Sequence, residues 1–237
     1  MKKIITFLLL FTSIVSFSQE LTGNQLLEKA IQFHDPNSNW QTFNGEFFVT
    51  METPKNADRE SRIKINLPEE YFLVKAKRDT ITTEYAIHKG DCFMALNGDE
   101  NTSEALKKKY NLNCERANLF KNYYTYLYGL PMKLKDEGTI INQNVERKTF
   151  EGKEYLVLKV TYNESVGKDT WYFYFDPKNY AMEVYQFFKD ESKNDGEYIL
   201  LTDLEIINGI KMPKNRAWYY NKGDGYLGTD ILSKSKN

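Results

Sequence analysis

Along most of this chain apolar and polar residues alternate with a period of two, the pattern of strands with one buried face. Phe43, Gly45, Phe47, Val49 and Met51 share one face of an extended segment, and Asn44, Glu46, Thr50 and Glu52 share the other, with Phe48 the single break. Ile63, Ile65 and Leu67 alternate with Arg62, Lys64 and Asn66 until Pro68 ends the strand. Further strands are expected over 71–77, 81–88 and 92–96, and in the second half over 139–150, 155–162, 170–175, 182–188, 197–206, 214–220 and 227–232. Glu151-Gly152, Asp176-Pro177, Asp195-Gly196, Asn208-Gly209 and Asp224-Gly225 punctuate them with the turn dipeptides of antiparallel neighbours.

The period shifts to that of a helix in three places. Thr22 and Gln25 make a capping-box pattern ahead of Leu26, Leu27, Ala30 and Ile31, and Asp35-Pro36 stops that helix. The segment 103–110 is short and charged. The segment 115–128 sets Phe120, Tyr123, Tyr124 and Leu127 on one stripe before Gly129 and Pro131 close it. About eleven strands with short connections exceed what a flat sheet holds, so the sheet is expected to curl. The fold class is mainly β (α+β): an incomplete, strongly curved antiparallel β-barrel of about eleven strands, lidded by two or three helices. Trp171 to Phe175 is aromatic on both faces, so that strand is either covered on both sides, the preferred reading, or lines a cavity.

Composition adds compartment and solubility. Lys2 and Lys3, the apolar run 4–15 and the small residues Ser16 and Ser18 make a signal peptide over 1–18, followed by a single domain over 19–237 in the periplasm or outside the cell. The apolar run is too short to span a bilayer. Basic and acidic residues number 32 and 33, so no basic field is offered to nucleic acid or an anionic membrane. A mean hydropathy of −0.61 beside 15% aromatic residues suits two-faced sheets, polar outside and ring-rich within. In an oxidising compartment Cys92 and Cys114 are expected to bridge a strand to the main helix; two small buried thiols are the alternative.

Catalytic signatures are missing. The two histidines, His34 and His88, fall in no metal-binding spacing, and there is no G-x-S-x-G elbow, phosphate-cradling glycine loop or C-x-x-C pair. No metal and no cofactor is expected, and no enzyme. Glu191, Lys193, Asp195 and Gly196 imitate a calcium loop only superficially, because Lys193 takes a ligand position. His34, with Asp35, Pro36 and Trp40, reads as a structural helix exit. The tyrosines from Tyr123 to Tyr128 read equally as a helix packed on the sheet or a lid over an apolar cavity.

In the order of its elements and in short phrases the chain resembles the outer-membrane lipoprotein carrier superfamily of LolA and LolB. The phrases are Arg62-Ile63-Lys64-Ile65-Asn66-Leu67-Pro68 followed by Tyr71-Phe72-Leu73-Val74, then Tyr174-Phe175-Asp176-Pro177 and Ile207-Asn208-Gly209-Ile210-Lys211-Met212-Pro213. Tyr126-Leu127-Tyr128-Gly129-Leu130-Pro131-Met132-Lys133-Leu134 and His34-Asp35-Pro36 with Trp40 are similar to a group of secreted flavobacterial proteins within it. The resemblance implies a half-barrel whose hydrophobic cavity binds a lipophilic small molecule or the acyl chain of a lipoprotein. In the carrier an arginine precedes the proline between two early strands. Here Leu67 stands there, which points away from transfer by that mechanism. No cysteine follows the expected cleavage site, so a LolB-like anchored acceptor is not expected.

On this footing the cavity lining is expected to be Phe47, Val49, Ile63, Ile65 and Leu67 from the strands, Phe120, Tyr123 and Leu127 from the lid helix, and Trp171. Three functions are ordered by fit: a non-catalytic carrier or binding module, an envelope-associated scaffold with a filled barrel that docks an envelope protein, and an enzyme with an unrecognised site.

Overall fold

Thirteen strands form one continuous antiparallel sheet that does not close. In this computed structural model residues 21–235 are described, so the expected signal peptide lies outside them. The strands are β1 Asn44–Thr53, β2 Asn56–Asn66, β3 Tyr71–Arg78, β4 Ile81–His88, β5 Asp91–Leu96, β6 Thr139–Ile141, β7 Glu146–Phe150, β8 Lys153–Tyr162, β9 Thr170–Phe175, β10 Met182–Phe188, β11 Glu197–Ile207, β12 Ile210–Tyr220 and β13 Tyr226–Ser233. Two meanders, β1 to β5 and β8 to β13, join where β13 pairs with β1, leaving β5 at one edge and β6 and β7 at the other. The helices are α1 Gly23–His34, α2 Glu104–Tyr110 and α3 Cys114–Gly129.

The expected strand over 139–150 is two strands. The ladder breaks after Asn142, whose N–H still donates to the Lys159 carbonyl, so β6 and β7 pair separately with β8. The N-terminus of α1 fills that break: the Gly23 N–H donates to the Gln143 carbonyl at 2.9 Å. A Cβ on Gly23 would lie 2.0 Å from the Asn142 carbonyl oxygen, so only glycine allows this approach. The capping box is in place, with Thr22 accepting from the Gln25 N–H and Gln25 accepting from the Thr22 N–H. Asn208 and Gly209 take φ values of 49° and 82°, the left-handed pair that a two-residue hairpin between β11 and β12 requires.

Alternation gives every strand an inner and an outer face. The inner faces, α1, α3 and Trp40 make one large core. A smaller cluster of Tyr155, Val157, Tyr172, Tyr174 and Val184 lies on the outer face, covered by Phe150, Phe188 and Leu200. Both faces of β9 are therefore occupied. Gly129 ends α3 without a left-handed turn; a Cβ there would lie 2.2 Å from the indole of Trp40, so this glycine is a packing requirement. Cys92 on β5 and Cys114, the first residue of α3, form a disulfide with Cα atoms 5.6 Å apart, anchoring the helix to the sheet edge.

Candidate functional site

Strand register decides what α3 meets as it crosses the inner face. Toward β1 to β4 it meets rings that fit its own. Phe47 stacks on Tyr128 at 4.8 Å, Phe72 on Tyr124 at 6.2 Å, and Tyr85 packs on Phe120 at 5.2 Å. Ile63, Ile65 and Val49 are fully buried between them. This half of the barrel is filled.

Toward β8 to β12 the inner face carries the indoles of Trp171 and Trp218 beside further rings. Register aligns Val160, Trp171 and Phe187 in one row, and Leu158, Phe173, Tyr185, Ile199 and Trp218 in the next. Trp171, Phe187 and Trp218 from these rows, with Tyr123, Tyr126 and Leu127 of α3, form the apolar wall of an open cavity of about 580 Å3 whose remaining lining is largely polar. That volume is in the range of small-ligand sites. Its aromatic wall is ordered: Trp171 stacks on Phe187 with centroids 5.0 Å apart, and Tyr126 meets Trp171 edge-on at 5.6 Å. The hydroxyls of Tyr126 and Tyr162 hydrogen-bond to each other at the wall. Burial pushes both phenols up, Tyr162 to about 12, so they stay neutral under physiological conditions.

Tyr123 and Trp218 stack at 6.3 Å and line both this cavity and a second, smaller cleft of about 210 Å3 that reaches Met51, Leu227 and Asp230. The Tyr123 hydroxyl donates to Oδ2 of Asp230 at 3.2 Å. Burial pushes the Asp230 carboxyl up, opposed by the charges of Arg59 and Arg216. Arg216, directly across from Asp230 in the register, is buried; its Nη1 donates to the Pro213 carbonyl at 2.7 Å and its guanidinium lies 3.9 Å from the Tyr128 ring centroid. Neither arginine lines either space.

Neither histidine lines the cavity. His34 is spent on structure: its Nδ1–H donates to the Lys211 carbonyl at 2.6 Å, and Nε2 accepts the Met182 N–H at 2.9 Å. Burial lowers its pKa to about 4. Asp35 beside it accepts the N–H groups of Asn39 and Trp40, each at 2.8 Å, which makes the helix exit compact. Among the described residues no group of three or more His, Cys, Asp or Glu side chains is placed to hold a metal ion.

Of the nine lining residues expected from sequence, Tyr123, Leu127 and Trp171 meet at the cavity. Phe47, Val49, Ile63, Ile65 and Phe120 do not line it and lie in the packed core, where Phe47 meets Tyr128 and Phe120 meets Tyr85. Leu67, half-buried just beyond β2, packs on that core and does not line the cavity either. Tyr126, Tyr162, Phe187 and Trp218 were not foreseen as lining. Their register puts Phe187 and Trp218 on the inner face, but a period of two does not say where along that face the helix lies.

Residues 2–234 match the family described as a family of unknown function, DUF6503. No curated protein matches the chain. Among solved structures the chain is similar to a LolA superfamily protein from Nitrosomonas europaea, at 13% identity and a TM-score of 0.53, covering 92% of this chain and 95% of that one. It is also similar to a DUF1329 family protein from Desulfovibrio piger, at 10% identity and a TM-score of 0.55, covering 90% and 92%. The fold is LolA-like.

Proposed function

The chain belongs to the DUF6503 family, and from its site we propose that it is a non-catalytic binding or carrier protein of the bacterial envelope that holds a lipophilic ligand, an acyl chain or an apolar small molecule, in the cavity beside α3. The observation that carries this reading is the aromatic cavity of about 580 Å3 between α3 and the β8 to β12 half of the sheet. Apolar walls wetted in a concave space of this size are covered favourably by an apolar guest, while the polar residues of the lining can meet its head. The LolA-like fold is consistent with such a role, and the signal-peptide pattern over 1–18 supports export. No helix of the described residues is long and apolar enough to cross a membrane.

The filled β1 to β4 half supports a second reading, in which the domain is a scaffold that docks an envelope protein. Mass spectrometry of the protein purified from its native envelope separates the two. A carrier brings a stoichiometric lipophilic molecule with it; a scaffold comes without one.

A further inference from the structure

The charge around the cavity is one-sided. The ionisable acidic and basic side chains that line it are Lys133, Asp136, Glu137 and Asp169. Lys133 is already paired with Asp136 three residues on. Glu137 and Asp169 make no ion pair among the described residues, Asp169 half-buried and Glu137 exposed at the mouth. Asp230 closes the adjoining cleft, while Arg59 and Arg216 point elsewhere, toward the Tyr124 hydroxyl and the Tyr128 ring. A guest therefore meets two uncompensated carboxylates on entering and aromatic faces once inside.

Aromatic faces are electron-rich, and a cation over them is attracted most strongly where water is excluded. Carboxylates at the mouth add attraction for a positive head and repel a negative one. Accordingly we infer that the ligand of this cavity is a cationic amphiphile, an amine or quaternary ammonium carried on an apolar body, and that an anionic amphiphile of equal chain length is disfavoured. This inference rests on the proposed binding function, which by itself is indifferent to the charge of the guest.

The test is displacement of the neutral probe N-phenyl-1-naphthylamine from the full mature chain, by dodecyltrimethylammonium and by dodecanoate below their micelle concentrations. The expected result is displacement by the cation at a concentration about tenfold lower than by the anion, a preference that shrinks to about twofold or less in the Glu137→Gln, Asp169→Asn double variant. Equal potency, or a preference for dodecanoate, with the probe still bound, overturns the inference and leaves the binding function standing. Failure of wild type to bind the probe at all overturns the binding function and this inference with it. Should the double variant fold poorly, wild type in about 0.5 M sodium chloride gives the same reading, because screening weakens mouth charges. A cation preference that salt leaves unchanged would contradict the role given to Glu137 and Asp169.

Discussion

The ring of Phe47 on β1 stacks on that of Tyr128 on α3, with centroids 4.8 Å apart and planes 30° from parallel. This contact closes the β1 to β4 half of the barrel and leaves the open space on the other flank of the helix. Phe47→Ala is therefore expected to cost about 3–5 kcal/mol, the usual penalty for emptying a buried aromatic site. Val49→Trp is expected to overfill the same region and cost about 1–3 kcal/mol. Urea unfolding of each variant checks both. Variants as stable as wild type would mean that this half is not packed as described.

His34 makes stability depend on pH in a definite direction. Its pKa falls from 6.5 to about 4 on folding, chiefly because burial disfavours the imidazolium. Between those values the unfolded chain binds a proton that the folded chain does not, so stability falls as pH drops from 6.5 to 4 and is unaffected by this group above 6.5. The loss is about 3 kcal/mol. Carboxylates titrate nearby, so the measurement is the difference between wild type and His34→Gln in urea midpoints at pH 7 and pH 4. The variant should lose less stability over that interval.

Tyr123→Phe removes the donor to Asp230 Oδ2 and leaves a buried carboxylate one partner short. A cost of about 1–3 kcal/mol is expected at pH 7. The cost should be smaller at pH 3, where Asp230, whose carboxyl burial has pushed up, is protonated. Thermal melts of both proteins at the two pH values test this; a cost independent of pH would show that the hydroxyl does not serve the charged carboxylate.

The bridge between Cys92 and Cys114 spans 22 positions and ties α3 to the β5 edge. Removing it through paired serine substitutions is expected to cost about 3 kcal/mol in the chain-entropy description. Denatured, unreduced protein should show no free thiol. Two thiols titrating without reductant would contradict the bridge.

Much of this architecture is legible in the sequence because its signals are local. The alternation of Phe43 to Met51 fixes the inner face of β1, and Thr22 with Gln25 fixes the start of α1. The break between β6 and β7 has a local signal, the polar run Asn142-Gln143-Asn144 that interrupts the alternation, but the contact that fills it comes from α1, far away in sequence. Which inward residues line the cavity is not a local signal either. Phe47 and Trp171 both point inward, and a period of two treats them alike. What separates them is the path of α3, set by its anchor at Cys114 and by the close fit of Gly129 against Trp40. Arg216 and Asp230 also escaped notice, since charged residues on the inner face of a strand disguise its parity.

The most direct test of the binding function is titration of lipid-stripped wild type with N-phenyl-1-naphthylamine, beside Phe47→Ala and Trp171→Ala under conditions where both variants remain folded. Wild type should bind saturably, about one probe per chain. Trp171→Ala, which removes the cavity wall, should weaken binding about tenfold or more, while Phe47→Ala, which damages only the packed half, should bind like wild type despite its lower stability. No saturable binding by wild type, or equal loss in both variants, would contradict the assignment of the cavity beside α3 as a lipophilic site.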